Sequence, residues 1–413
     1  MLARPACRLA LMLLGLCAAS ATGQEWTRFR GPNGTGVSER ADLPIQWTAS
    51  DYRWRVELPG IGYSSPVLWG QRLFVTSALE EDATQIVRCL RASDGGTVWE
   101  QRFASITHPK HRFNCYASAT PPVDQDHVYM VWATPKQYHV VALEHQEGRI
   151  IWKRDLGPFE AEHGFGASPI LVGDALIVPN DQNGKSSVIA LDRTTGKTCW
   201  EAPRRSKIAS YSTPFLFEPE GAPPQLILTS SSHGVSALDP KTGKTLWELE
   251  VLNNRIVGSG VVASGLIVAT CGVGGAGTRT VVIRPGIPSK AIQAEVAYDV
   301  PRGALPYVPV PITRDDLLFL WYDRGAVTCL DAPTGKVRWR ERVPGEFFGS
   351  PVRVGDRLYC ISRDGDMVVL AAADQFKLLA RFNLGERSNS TPAVAGGVMY
   401  LRTVSHVMAI GAK

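Results

Sequence analysis

A leucine followed nine positions later by a tryptophan recurs along this chain: Leu90 and Trp99, Leu143 and Trp152, Leu191 and Trp200, Leu238 and Trp247, Leu330 and Trp339. Three copies share the pattern D-x-x-T-G-K-x-x-W, at Asp192 to Trp200, Asp239 to Trp247 and Asp331 to Trp339. Leu370 with Leu379 continues the series without the aromatic, Ile283 with Ile292 reads as a degraded copy, and Ile410 begins one that the last residue cuts off. Each anchor is preceded by a second element such as Ser65-Pro66, Thr120-Pro121, Ser168-Pro169, Thr213-Pro214, Ser350-Pro351 or Thr391-Pro392. A period of 40 to 53 residues, with one constant offset and a second recurring element inside it, means stacked copies of one unit.

Each unit reads as four short strands: A with the Ser/Thr-Pro element, B after a Gly-Asp-type turn, C ending at the leucine, and D carrying the tryptophan. One such sheet cannot bury both faces until it stands between neighbours, so the expected fold is all-β, an eight-bladed β-propeller of four-stranded blades. In the T-G-K tip, glycine supplies the positive φ of a tight turn and aspartate accepts backbone N–H groups. The anchors Trp54, Trp99, Trp152, Trp200, Trp247 and Trp339 read as wedges between blades. The last unit lacks a D strand, whereas Tyr52 to Leu58 looks like a D strand lacking its blade. Joining them closes the ring and removes its open edge. Blade five, with Ile283 and Ile292 and the tip Pro285 to Pro288, is the expected weak point.

Composition bears on where the chain works. Residues 1–23 combine Arg4 and Arg8, an apolar run from Leu9 to Leu16, and small residues ending in Ala19-Ser20-Ala21, the plan of a secretory signal peptide. Residues 24–51 then form a lead-in and 52–413 a single propeller. The protein is expected to be exported, soluble in the periplasm or outside the cell, monomeric, and without a transmembrane segment. The 44 Lys and Arg less Arg4 and Arg8 leave 42 against 39 acidic side chains, too small an excess to indicate nucleic acid as a partner. Six cysteines follow the leader, with no C-x-x-C pair among them.

The A–B and C–D turns, on one face, repeat almost unchanged; the B–C and D–A connections, on the other, diverge. Structural demands are alike in every blade, so divergence on one rim marks where an individual purpose sits. That rim carries the candidate ligand-binding residues His108, His111, Arg112, Tyr116, His163, Arg255, Arg302, Arg324, Arg363 and Arg387. Convergent guanidiniums suit a carboxylate, a sulfate, an acidic glycan or the acidic segment of a protein. His108 and His111 with His163 or Glu162 have the chemistry of metal ligands, but spacing leaves any metal undetermined. Asp364 with Asp366, or Asp181 with Asn183, is ordinary turn chemistry. No nucleophile elbow, H-E-x-x-H helix or phosphate loop is present, and no catalytic residue is assigned.

The D-x-x-T-G-K-x-x-W blades with alternating Ser/Thr-Pro strands resemble the pyrroloquinoline-quinone-like (PQQ-like) repeat family over roughly residues 47–413. The lead-in Trp26 to Ser38 resembles the start of exported members common in planctomycete-type bacteria. This resemblance implies one of two roles: quinone-dependent dehydrogenase, or protein-binding scaffold like the eight-bladed subunit of the outer-membrane β-barrel assembly machinery. In the dehydrogenases the quinone rests on a disulfide between adjacent cysteines, with calcium and an aspartate base. This sequence has no Cys-Cys dipeptide. The expectation is therefore a non-catalytic binding or scaffold propeller with no cofactor, its partner a protein or an anionic small molecule or glycan. A quinone-dependent oxidoreductase using PQQ and calcium, or a polysaccharide-acting hydrolase, is the alternative for the same funnel.

Overall fold

The computed structural model describes residues 25–39, 43–205, 207–274 and 276–411, so the leader expected at 1–23 lies outside the described residues. Eight small antiparallel sheets form a ring, each blade running from an inner strand A to an outer strand D. Blade 3 is representative, with strands Ile170–Val172, Ala175–Asn180, Ser186–Asp192 and Thr198–Arg204. In blade 2, strand A is reduced to a single bridge between Val123 and Val128. Trp54–Glu57 pairs antiparallel with His406–Gly411, Trp54 opposite Ala409 and Glu57 opposite His406, so the N-terminal strand completes the eighth blade. No helix among the described residues is long and apolar enough to cross a membrane.

The repeated motif is the joint between blades. Trp152 of blade 2 donates its indole N–H to the Arg193 carbonyl of blade 3 at 3.0 Å, and Gly196 of that blade's T-G-K tip sits flat on the same ring. A Cβ at Gly196, whose φ is +69°, would stand 2.6 Å from the indole. Trp54 with Gly95, Trp99 with Gly148 and Trp200 with Gly243 repeat the arrangement. Asp192 fixes the tip by accepting the Thr195 N–H at 2.7 Å and its hydroxyl at 2.8 Å. Spacing in the sequence is thus a packing rule: tryptophan of one blade under glycine of the next.

Two joints depart from the sequence reading. Ile292 is not the D-strand anchor of blade 5; it is 40% exposed and only bridges Ile287. An insertion with a short 3-10 turn at Pro288–Lys290 displaces the strand to Glu295–Asp299, and Tyr298 takes the tryptophan's place. Its ring lies under Gly335 and its hydroxyl donates to the Ala332 carbonyl of blade 6. In blade 7 the register puts Ala380 rather than Leu379 opposite Val369. There the lead-in helps fill the seam: Trp47 packs edge-on against Phe382 at 4.5 Å. We expect blade 5, with Val273, Ile292 and Val296 exposed, to exchange its amide hydrogens sooner than blades 3 and 4; equal protection in a hydrogen-exchange experiment would contradict this.

The lead-in has a role that its sequence does not announce. Glu25–Trp26 pairs antiparallel with the inner strand of blade 1, and Val37–Ser38 pairs parallel with that of blade 7. Since all inner strands run the same way, the segment enters the central channel from the A–B turn face and returns to it. Between these pairings it bonds to several other blades. The Val123 N–H donates to Thr27, Arg28 Nη2 reaches the Pro214 carbonyl at 2.6 Å, and Asn33 pairs with the Leu216 backbone. Arg30, 1% exposed, donates to the carbonyls of Gly34, Thr35, Pro311 and Pro351. Carbonyls satisfy this guanidinium without a carboxylate, and burial lowers its pKa to about 9.

Candidate functional site

Strand A also explains its Ser/Thr-Pro element. The N–H of Ser65 donates to the Thr120 hydroxyl, Thr120 to Ser168, Thr213 to Ser259, Val310 to Ser350, and Ser350 to Thr391, all at 2.8–3.0 Å. Each hydroxyl thereby accepts from the preceding blade and ties the ring together around its axis. Two positions before this belt come Tyr63, Ser118, Gly166, Tyr211, Val257, Val308, Phe348 and Asn389, one from each blade, and all eight line one cavity of about 470 Å³. Phe29, carried on the inserted N-terminal segment, also lines it. The channel is therefore a blind funnel, closed from the A–B side and open to the variable rim.

The connection from blade 1 to blade 2 reaches over this funnel. His111, Arg112, Phe113 and Asn114 line it, and Phe113 meets Phe348 of the blade 6 to 7 connection with ring centroids 5.4 Å apart. Asn114 fastens the loop by donating to the carbonyls of His163 and Phe165 at 2.8 and 3.1 Å. The imidazoles of His111 and His163 lie 4.7 Å apart. Burial, the neighbouring His163, and the charges of Arg112 and Arg255 together lower the His111 pKa, against a smaller opposing pull from Glu162.

The structure brings His111, Arg112, His163, Arg255 and Arg324 to the wall. Arg363 stacks above it, 3.9 Å from the Phe113 centroid and 4.8 Å from that of Phe348, and pairs with Glu346. His108, Tyr116, Arg302 and Arg387 are not brought to the wall. His108 and Tyr116 bond to each other behind the loop, where His108 faces a second groove with Glu160 and Glu162. Arg302 is exposed, and the charge of Arg387 reaches the Tyr63 phenol. Phe29 and Tyr63 were not singled out from the sequence. For Tyr63 a signal existed, since the position two before the belt hydroxyl varies between blades; for Phe29 there was none.

Acidic groups at the funnel are already engaged. Glu162 pairs with Arg255, Glu346 with Arg363, and Asp323 accepts the backbone N–H groups of Tyr307 and Val308 at 2.8 and 2.9 Å. Arg112 rests on the Phe113 ring and Arg324 donates to the Gly274 carbonyl. Neither forms an ion pair among the described residues, although Arg324 lies within electrostatic reach of Asp323, so positive charge is in excess at the wall. Burial raises the Asp323 pKa to about 6 despite its two backbone donors. The folded chain therefore holds this proton more tightly than the unfolded one, and Asp323's contribution to stability falls as pH rises from about 4 toward 6. Carbon NMR should show this carboxyl titrating near pH 6; a midpoint near 4 would contradict the burial argument.

This architecture has known counterparts. The family described as outer membrane protein assembly factor BamB matches residues 83–285 and 302–412, most of the chain. The protein belongs to this BamB-type, PQQ-like propeller family. Among solved structures it is similar to BamB from Moraxella catarrhalis, with a TM-score of 0.63 and 16% identity over 87% of this chain and 96% of that one. A europium-containing methanol dehydrogenase gives a TM-score of 0.67 at 12% identity, over 93% and 90%. The quinohemoprotein alcohol dehydrogenase of Comamonas testosteroni gives 0.61 at 13%, over 94% and 81%. No curated protein matches at a significant level. Identities this low establish the shared fold, and this fold serves assembly factors and dehydrogenases alike.

The donor set does not fit a quinone with its calcium ion. Calcium takes six to eight oxygen ligands, several of them carboxylate. Among the described residues no three His, Cys, Asp or Glu side chains gather as metal ligands, and the funnel carboxylates are already committed to arginines or amides. All six described cysteines are free; Cys115 lies 3.3 Å from the Ser118 hydroxyl, with no second sulfur beside it.

Proposed function

We propose that this protein is an exported, non-catalytic binding propeller whose ligand or partner enters the funnel on the variable rim and presents an anionic group to it. The observation that carries this reading is the blind funnel's charge: among the described residues Arg112 and Arg324 form no ion pair, while Glu162 and Glu346 are paired with other arginines. Guanidiniums held in a partly desolvated pocket bind carboxylate and sulfate through charge-assisted, paired hydrogen bonds. Engagement of Glu162 and Glu346 by arginines, and of Asp323 by backbone amides, supports binding over hydrolysis by a carboxylate pair. Export rests on the leader-like residues 1–23, and membership of a family named for an assembly factor supports the scaffold role.

The test is a binding panel of carboxylates, sulfates, acidic oligosaccharides and acidic peptides, followed by site variants. Arg112→Ala and Arg324→Ala should each weaken the best ligand about ten-fold, the loss of one charge-assisted bond, while Lys197→Ala at a T-G-K tip leaves it unchanged. Affinity should also rise as pH falls through 6, because Asp323 then loses its charge. The ligand should be recovered chemically intact, and added PQQ with calcium should produce no dye-linked oxidation. Loss of binding in the Lys197 variant alone would place the site on the opposite face; turnover of a ligand would overturn the non-catalytic reading.

A further inference from the structure

We infer that the funnel's ligand is a carboxylated sugar ring, a uronate or the uronate end of an oligosaccharide; this rests on the reading of the variable rim as the binding site and narrows it. Three observations carry it. The first is enclosure. With Phe29 at its floor and the Phe113 loop in contact with Phe348 across its mouth, a cavity of about 470 Å³ admits a compact molecule rather than a folded surface.

The second is the floor. Thr120, Ser168, Ser259, Ser350 and Thr391 each spend an oxygen lone pair on the preceding blade's N–H. Their O–H hydrogens have no acceptor among the described residues, and all five side chains line the cavity. A hydroxyl is donor and acceptor at once, so this belt offers five donors converging on the axis. A polyhydroxylated ring supplies acceptors in that density; an acidic peptide offers one backbone carbonyl per residue.

The third is the wall, which alternates aromatic side chains with charge. Tyr63, Tyr211, Tyr307 and Phe348 provide apolar surface for the C–H face of a sugar, and Arg112 and Arg324 provide the carboxylate site. Asn389 adds an amide with both donor and acceptor capacity.

Calorimetric titration with glucuronate, galacturonate, mannuronate and guluronate disaccharides tests this, against a neutral galactose disaccharide, acetate and a hexaglutamate peptide. At least one uronate should bind ten-fold or more tighter than the neutral sugar and than acetate. Arg112→Gln and Arg324→Gln should abolish that preference while the neutral sugar's weak binding and the melting temperature stay unchanged. Raising the salt concentration should weaken the uronate alone. Tighter binding of hexaglutamate, equal binding of the neutral sugar, or no binding by any of the four uronates would overturn the inference. In those cases an anion of another class that binds and responds to Arg112 and Arg324 leaves the broader reading standing, whereas a binding panel with no such responder sinks both.

Discussion

A chain lacking residues 24–58 will aggregate, or unfold without a cooperative transition, under conditions where the same chain with those residues melts sharply. The deletion removes the strand Trp54–Glu57 and leaves His406–Gly411 as an open edge with unpaired backbone groups, a template for pairing with another chain. It also takes Trp54, whose indole donates to the Ala92 carbonyl of blade 1 at 2.9 Å and lies under Gly95, so the joint between the last and first blades is lost. Finally it removes the inserted segment, with Trp26 and Arg30 each 1% exposed, and uncovers the carbonyls of Pro214, Pro311 and Pro351 that its arginines satisfy. Size-exclusion chromatography and thermal melting read the outcome. A deletion variant that stays monomeric and melts like its parent would show that the ring does not depend on this closure.

Trp152→Ala will destabilise the fold by about 3–5 kcal/mol in denaturant unfolding, the range for truncating a large buried aromatic. The indole is buried between blades 2 and 3, and its loss strands the Arg193 carbonyl as well as leaving a void beneath Gly196. Gly196→Ala attacks the same joint from the other side, through a clash at 2.6 Å and a left-handed φ of +69°, and should cost roughly 1–3 kcal/mol. The double variant separates the terms. With the indole gone the methyl clashes with nothing there, so the combined loss should fall short of the sum of the two single losses. Strict additivity would mean that ring and glycine do not act as one unit.

These joints were legible in the sequence because a packing rule repeated in most blades leaves a fixed spacing. Asp192, Thr195, Gly196 and Trp200 each do in blade 3 what their counterparts do elsewhere. Blade 5 defeated the same logic: an insertion moved the anchor to Tyr298, beyond the nine-residue offset, and an aromatic of another kind filled the place. The inserted lead-in left no trace at all, since a segment used once has no period. Arg28 and Arg30 read as ordinary charges, and only the fold shows them buried against carbonyls. Divergence between blades pointed to the rim from which Arg112, Arg255 and Arg324 line the funnel. It could not tell that Arg302 stays off the funnel wall, or that Arg363 is already stacked and paired, because sequence gives position on a loop but not the direction of a side chain.

Occupancy of the funnel is what distinguishes a binding propeller of this kind from a ring with its working surface elsewhere. Hydrogen exchange, compared with and without the tightest-binding anion from the panel, measures this without altering a residue. Protection should appear in the segments 111–118, 255–259, 307–310 and 348–350, with the T-G-K tips at 193–197 and 240–244 unchanged. Protection confined to those tips, or spread over the outer D strands with the funnel segments unaffected, would contradict it.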